Sequence, residues 1–249
     1  MAEGIVLATI LHDVEGRLCA PLMQAAPALK RFFSGVAVSL TEATAPEVAR
    51  VLEGELGALV AYHPVGEAII GKARREAVGL ALRLGGARML YSDIDHVLRW
   101  IEVDAEELGK CLASHPAMEL LIIGRTEKAM QQIPRRLRET EVPVNKAYEL
   151  MSGRRADLLF AIRRMDRAVA IDLVAKSGVD SIANDVEWPL LIESLGYRVG
   201  YAEAHGLSYR TLEEFGAEAD SYDSDALQWI RRIEMAGEMA RTMRPFLNA

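Results

Sequence analysis

The stretch IIGKARREAVGLALRLGGARMLYSDID, residues 69–95, decides the fold of this protein. In its first part, apolar side chains recur three or four residues apart, which is the spacing of one face of a helix. The residues of this face are Ile69, Ile70, Ala73, Ala77, Leu80, Ala81 and Leu84. Gly85 and Gly86 end the predicted helix, and residues 88–92 have the apolar character of a buried strand. The stretch therefore predicts a helix, a turn and a strand that ends at two acidic residues.

The same alternation of strand and helix occurs upstream of this stretch. Predicted strands cover residues 4–11, 35–40 and 56–62, and predicted helices cover residues 21–33 and 46–55. Such an order predicts an α/β fold with a mainly parallel, Rossmann-like central sheet flanked by helices. Ligands of these sheets bind beyond the carboxyl ends of the strands. The polar residues at those ends are His12, Asp13, Thr41, Glu42, His63, Asp93 and Asp95.

The second half of the sequence is less regular. Its predicted strands are 118–124, 158–162 and 197–202, and its predicted helices are 104–114, 167–176, 186–195 and 224–246. Residues 125–151 contain Pro134 and Pro143 and predict short helices with a loop that covers the site. No repeat, linker or change of composition divides the chain, so we expect a single domain over residues 1–249.

Composition excludes several classes of protein. The chain has 29 Lys and Arg against 36 Asp and Glu, and a net charge of −7 is unsuited to general binding of nucleic acid. No apolar run has the length of a membrane span. The acidic N-terminus is unlike a signal peptide, and two cysteines are too few for a disulfide framework. We therefore expect a cytoplasmic protein without an integral membrane segment.

Asp93 and Asp95 form the most informative acidic pair in the sequence. In an extended segment, alternate side chains point to the same side, so these two carboxylates would converge. Converging carboxylates repel each other unless a cation lies between them, and oxygen ligands suit Mg²⁺ or Mn²⁺. The alternative is a solvated acidic turn after a strand, because Asp-x-Asp is a very short motif.

The order of the motifs resembles the GT-A fold of nucleotide-sugar-dependent glycosyltransferases, in the broad group around family 2. The resemblance extends from Ile5 to Tyr209. The segments that carry it are Ile70–Ala77, the Asp93-Ile94-Asp95 motif, Leu40-Thr41-Glu42, Asn184–Pro189 and Gly196–Val199. In this family the Asp-x-Asp (DXD) motif binds the metal. The resemblance thus implies that Asp93 and Asp95 hold Mn²⁺ or Mg²⁺ as cofactor.

The resemblance also implies roles around the donor substrate. Lys72, Arg74 and Arg75 would neutralise the donor diphosphate near a helix start, although a solvated polar helix face is the alternative reading. Glu42 would contact the nucleotide, where family members carry an Asp-rich loop. Asp185 would be the base that deprotonates the acceptor, with Glu187 as the second candidate and as a substrate-binding residue. Acidic residues at a helix start are also commonly caps or dipole partners.

His205 follows the last predicted strand and is the third expected metal ligand. Some GT-A enzymes complete their metal site with a histidine from the C-terminal region. An imidazole ligand would shift the preference of the site from Mg²⁺ toward Mn²⁺. Isolated histidines are otherwise more often surface or core residues than ligands.

The sequence thus predicts a metal-dependent glycosyltransferase that moves a sugar from a nucleoside diphosphate donor to an acceptor it does not identify. Residues 1–100 would form the nucleotide-binding half, 101–222 the acceptor half, and 223–249 a C-terminal helix. This helix would pack on the core or form a homodimer contact. The alternatives are a sugar nucleotidyltransferase of the same fold and a non-catalytic nucleotide or sugar binder.

Overall fold

The protein is built around one sheet in the computed structural model, which describes residues 4–207 and 222–248. Within these residues the sheet has seven strands in the order β3-β2-β1-β4-β6-β5-β7. The strands are β1 (Ile5–Leu11), β2 (Gly35–Thr41), β3 (Leu59–His63), β4 (Arg88–Tyr91), β5 (Leu120–Arg125), β6 (Ile162–Asp166) and β7 (Val199–Ala204).

Most neighbouring strands run parallel, as the alternation of elements predicts. β6 is the exception, because it pairs antiparallel with both β4 and β5. All other strands therefore end at the edge of the sheet where β6 begins. We refer to this edge as the ligand edge, since the crevice beyond the carboxyl ends of parallel strands is where α/β proteins bind ligands.

Helices cover both faces of the sheet. They are α1 (Cys19–Phe32), α2 (Pro46–Leu56), α3 (Ile70–Leu82), α4 (Ile94–Ala113), α5 (Glu127–Gln132), α6 (Arg135–Ser152), α7 (Arg167–Lys176), α8 (Asn184–Ser194) and α9 (Ala226–Met243). The apolar faces of α3, α6, α7, α8 and α9 form one core cluster with the sheet. Those of α1, α2 and α4 form a second cluster on its other face. The predicted α/β architecture is confirmed.

The prediction for residues 125–151 is wrong. Instead of short helices and a loop, the segment forms α5 and the 18-residue α6. Pro143 lies inside α6, where proline removes one backbone hydrogen bond. Packing outweighs this cost, because Val144 and Tyr148 are buried in the core and Glu141 pairs with Arg232 of α9.

Several boundaries in the second half also differ from the prediction. β6 begins at Ile162, the last residue of the predicted strand, after Ala161 adopts a left-handed conformation at φ 54°. β7 ends at Ala204 rather than 202, so that His205 follows it directly. α4 begins at Ile94, ten residues before the predicted start at 104, and continues through a kink at Asp104.

The C-terminal helix lies at residues 226–243, within its predicted span. Residues 1–3 and 249 lie outside the described residues. So do residues 208 and 209, which end the segment that resembles the GT-A family. Among the residues that are described, no helix is both long and apolar enough to cross a membrane.

Candidate functional site

Polar side chains from neighbouring strands meet at the ligand edge. His12, which follows β1, lies with its Nδ1 2.7 Å from Thr41 Oγ1 at the end of β2. Thr41 Oγ1 in turn lies 2.9 Å from Thr44 Oγ1. At the end of β3, His63 Nδ1 is 2.9 Å from Ser39 Oγ, and burial lowers the pKa of His63. The parallel register thus brings together the strand ends that the sequence places far apart.

Arg74 is the centre of the acidic cluster at this edge. Its side chain is only 3 % exposed, and its Nη1 donates to Asp185 Oδ1 at 2.7 Å and to Asn184 Oδ1 at 3.0 Å. Its Nη2 donates to Asp93 Oδ2 at 3.1 Å. One guanidinium therefore links Asp93, which lies between β4 and α4, to the first turn of α8.

Asp93 has both carboxylate oxygens engaged. Oδ2 accepts the bond from Arg74, and Oδ1 accepts a 2.5 Å bond from the buried hydroxyl of Tyr91. Burial favours a higher pKa for Asp93, but Arg74, His96 and the Tyr91 hydroxyl outweigh it and leave the pKa below its ordinary value. Asp93 is thus an ionised, tightly held carboxylate.

Asp185 lies deeper, with a side chain that is 4 % exposed. Burial raises the pKa of Asp185 above its ordinary value, against the opposing effects of Arg74 and Arg163. Arg163 is itself buried in β6, and its Nη2 donates to the backbone carbonyls of Leu158 and Asp185. The start of α8 is therefore held from two sides by buried arginines.

Asp95 does not converge with Asp93 in the way the alternation argument predicts. That argument assumes an extended segment, whereas Asp93 is the N-cap of α4 and Asp95 lies in its first turn. Helical geometry rotates successive side chains by about 100° rather than 180°, so that the two carboxylates diverge. Asp95 is exposed, and its side chain makes no hydrogen bond to the rest of the described chain.

His205 lies at the ligand edge, directly after β7. Its backbone N–H donates to Glu107 Oε1 at 2.8 Å, and the same carboxylate accepts bonds from Gly206 N and Trp100 Nε1. These contacts fix the backbone of His205 against α4, while its imidazole is exposed. Across residues 4–207 and 222–248, no three His, Cys, Asp or Glu side chains lie close enough to form a preformed metal cluster.

The start of α3 is covered by a loop, residues 177–182, which we call the 177–182 loop. Lys72 N donates to Asp180 O at 3.1 Å, and Arg75 bonds to both Val179 O and the Asp180 carboxylate. The loop backbone lies so close to Gly71 that a side chain at this position would clash with it. The backbone N–H of Lys72 and the side chain of Arg75, both near the start of α3, therefore already have partners within the chain.

The four remaining candidates lie in different environments. Arg75 is engaged with the 177–182 loop, while Lys72 is more than half exposed and has only a loose 3.9 Å contact with Glu76. Glu187 is buried and accepts bonds from Ser177 Oγ, Gly178 N and Val179 N. Glu42 is exposed just beyond the end of β2. Of these, Lys72 and Glu42 present exposed side chains at or near the ligand edge.

Sequence reasoning missed the role of Tyr91 and the central position of Arg74. A signal for Arg74 exists, since it lies four residues after Ile70 and three before Ala77, on the apolar face of α3. An arginine on a face that packs against the core needs an anionic partner. Tyr91 gives no comparable signal, because a tyrosine in a strand is usually core.

Comparisons with known proteins bear on the fold. No protein-family model matches the chain, and no curated protein is significantly similar to it in sequence. Solved structures do match. One is glucosyl-3-phosphoglycerate synthase from Mycobacterium tuberculosis in complex with Mg²⁺ and uridine diphosphate, at 14 % identity and a TM-score of 0.57. The match covers 99 % of this chain and 80 % of that one.

Two further structures give the same picture. The same synthase with Mn²⁺, UDP-glucose and phosphoglyceric acid matches at 13 % identity and a TM-score of 0.57, over 99 % of this chain and 80 % of the other. A structure described only as a mycobacterial protein matches at 15 % identity and a TM-score of 0.61, over 99 % and 75 %. At such identities the likeness shows the fold, and the predicted GT-A fold is confirmed.

Proposed function

We propose that this chain is a glycosyltransferase that takes a sugar from a nucleoside diphosphate donor bound at the ligand edge. The observation that carries the proposal is the buried Arg74, which pairs with both Asp93 and Asp185 and so holds the two carboxylates together at this edge. The fold supports it, because the synthase of the same fold is solved with uridine diphosphate, UDP-glucose, Mg²⁺ and Mn²⁺. Residues 1–100, the nucleotide-binding half expected from the sequence, would bind the donor.

Asp95 and His205 remain the proposed protein ligands of a divalent ion at this edge, although β4 and β7, which precede them, are separated in the sheet by β6 and β5. Asp95 and His205 are exposed, follow β4 and β7, and have oxygen and nitrogen lone pairs free among the described residues. Asp93 accepts one hydrogen bond on each carboxylate oxygen, from Tyr91 and Arg74, and keeps further lone pairs with which it would act as a third ligand. When bound, the ion would stabilise negative charge on the departing diphosphate. Lys72 is more than half exposed and has only the 3.9 Å contact with Glu76 among the described residues, so its cation would be able to bind the same diphosphate. Glu42 lies beyond the end of β2, where it would contact the nucleotide.

Asp185 would serve the acceptor. Its raised pKa suits a group that takes up a proton, and its bond to Arg74 fixes the direction in which the carboxylate faces. The acceptor hydroxyl would reach it from the ligand edge. A base of this kind is required only if transfer inverts the anomeric centre.

A thermal-shift screen with nucleoside diphosphates and nucleotide sugars, with and without Mn²⁺, tests the proposal. A ligand that binds the native state raises the unfolding midpoint in proportion to the logarithm of its concentration over its Kd. We expect uridine diphosphate or another nucleoside diphosphate to raise Tm only when Mn²⁺ is present. No shift with any nucleotide would contradict the proposal.

A non-catalytic nucleotide or sugar binder is the second candidate. The burial of Asp185 favours it, because a carboxylate that is 4 % exposed and ion-paired is poorly placed to meet an acceptor. The two candidates differ in one measurement. A binder would raise Tm with nucleotide but release no nucleoside diphosphate from any nucleotide sugar.

The homodimer contact through the C-terminal helix stays a prediction. Leu227, Ile230 and Ile233 of α9 are each more than half exposed, as an apolar contact surface between copies requires. Ile230→Glu would then shift the protein to monomer in sedimentation velocity. An unchanged sedimentation coefficient would contradict the contact.

A further inference from the structure

A cleft of about 940 Å³ lies beside the acidic cluster, between the segment before α3, the 177–182 loop and α9. Ile70 lines it and lies one helical turn before Arg74 on the same face of α3. Ile182 also lines it and precedes Asp185 by three residues. The cleft therefore adjoins the cluster through both elements that carry it, yet includes none of the cluster's charged residues.

The walls of this cleft are held in place before any ligand binds. Asp180 O accepts a bond from Lys72 N, and the Asp180 carboxylate pairs with Arg75. On the other side, Ser181 Oγ is hydrogen-bonded to Glu238 of α9. When a site is preformed, less of the binding free energy is lost to the ordering of its residues. These bonds make the cleft a built feature rather than a gap between mobile segments.

The charges that line the cleft follow a definite order. Arg231, Glu234, Glu238 and Arg241 lie along one side of α9. At a rise of about 1.5 Å per residue, the two arginines are about 15 Å apart, with the two glutamates between them. An anion that reached both arginines would therefore lie against Glu234 and Glu238.

The lining also repels a compact anion. Glu67, Glu234 and Glu238 face the cleft against Arg231 and Arg241, while Asp180 is neutralised by Arg75. Like charges that meet across a site disfavour the wrong ligand. Hydroxyl groups, by contrast, both donate and accept, so that they can bond to carboxylates and guanidiniums alike. The half-buried side chains of Ile70, Ile182 and Met235 offer apolar contact between these groups.

We infer that this cleft binds an extended, uncharged saccharide as the sugar acceptor. The role of the saccharide as acceptor rests on the proposed function, whereas the binding of the saccharide does not. The row of polar groups on α9 is longer than one sugar ring, which favours an oligosaccharide over a monosaccharide. The acceptor would differ in charge from the phosphoglyceric acid in the synthase structure.

Saturation-transfer NMR on the full-length protein tests the inference with maltotriose, cellotriose and mannotriose as probes. Met235→Trp fills the cleft, and Ala240→Trp adds the same side chain to α9 outside it. We expect at least one trisaccharide to bind the wild type and Ala240→Trp equally, and Met235→Trp at least tenfold more weakly. 3-Phosphoglycerate should not displace the bound sugar.

A second variant guards against a folding defect in Met235→Trp. Glu67 and Glu234 are exposed and pair with no side chain in the described part of the chain, so Glu67→Ala/Glu234→Ala should fold normally. This double variant should bind the same trisaccharide at least fivefold more weakly than the wild type. The inference is overturned if no trisaccharide binds, if binding survives Met235→Trp, or if 3-phosphoglycerate occupies the cleft. Nucleotide-dependent Tm shifts, recorded in parallel, report separately on the proposed function.

Discussion

Arg74 and Asp185 form a buried ion pair across 111 positions of the chain, with Nη1 2.7 Å from Oδ1 and both side chains at most 4 % exposed. The same guanidinium also pairs with Asp93. Two carboxylates near each other raise each other's pKa and the cost of burial, and the shared arginine offsets this repulsion. Arg74 is therefore the one guanidinium that bonds to the carboxylates of both Asp93 and Asp185 among the described residues.

Removal of that cation should destabilise the fold strongly. Arg74→Met leaves Asp93 and Asp185 without their common partner, and a buried charge that loses its partner costs about 3–5 kcal/mol of unfolding free energy. Urea denaturation of Arg74→Met, Asp185→Asn and the double variant measures the coupling. We expect the double variant to lose less than the sum of the single losses. Additive losses would contradict the pair.

Asp185→Asn should separate catalysis from donor binding. The amide oxygen still accepts a bond from Arg74 but cannot take up a proton, so we expect turnover to fall at least about 100-fold. The affinity for the nucleotide should change little. The measurement uses the nucleotide sugar that gives the largest Tm shift. Turnover close to that of the wild type would leave Asp185 with a positioning role only.

The helices and strands of the first half could be predicted because their signals are local. The apolar spacing of residues 69–84, the double glycine and the alternation of elements give α3, β4 and the parallel sheet. The N-terminus of α4 was also predictable, since aspartate is a preferred N-cap and Ile94, Val97 and Leu98 have helical spacing. The expectation of an extended Asp-x-Asp segment overlooked that signal.

Other features depend on tertiary contacts that no local pattern contains. The partners of Arg74 on α8 lie about 110 positions away, and the packing of α3 against α7 and the 177–182 loop brings them together. α6 continues through Pro143 because its buried face and the Glu141–Arg232 pair outweigh the lost hydrogen bond. The same loop contacts occupy Arg75 and Glu187, whose sequence pattern suggests a binding role.

The metal proposal predicts a loss of affinity at the two exposed residues among the expected ligands. Asp95→Asn and His205→Ala should each weaken Mn²⁺-dependent binding of uridine diphosphate at least tenfold, because both side chains are free to ligate. Isothermal titration calorimetry with and without chelator measures this effect. His115→Ala is the matched control, since His115 is exposed but precedes β5, away from the ligand edge. Equal affinity of His205→Ala and the wild type would refute His205 as a ligand.

Gly71 should tolerate no side chain. A Cβ there would lie 2.4 Å from Ser181 O and 2.7 Å from Val179 O, both of them backbone atoms. The 177–182 loop would have to move, and such overpacking costs about 1–3 kcal/mol. Gly79→Ala in the same helix is the control, because a Cβ there would lie 3.7 Å from Val174 Cγ1, an ordinary van der Waals contact. Thermal unfolding should show Gly71→Ala destabilised and Gly79→Ala unchanged or stabilised by up to about 1 kcal/mol.

Asp157 is the basis of a prediction about pH. Arg125 at the end of β5 donates to it from N, Nε and Nη2, at 3.0, 2.7 and 2.9 Å. Burial favours a higher pKa for Asp157, but Arg125 and Asn145 outweigh it, so that the pKa lies below its ordinary value. A carboxyl with a lowered folded-state pKa stabilises the protein above its unfolded pKa of about 3.9. That contribution is lost as the pH falls through the lower folded-state value.

Asp157→Asn should therefore cost about 3 kcal/mol of unfolding free energy at pH 7, because among the described residues it leaves Arg125 with only Glu141 as an ionic partner. The difference from the wild type should shrink as the pH drops below about 4, where the wild-type carboxyl becomes protonated in the unfolded chain. Urea unfolding from pH 7 to pH 3 measures both quantities. Glu203→Gln, an exposed carboxylate on β7, should show no such convergence. A difference for Asp157→Asn that stays constant with pH would mean that the ionised form of Asp157 does not stabilise the native state.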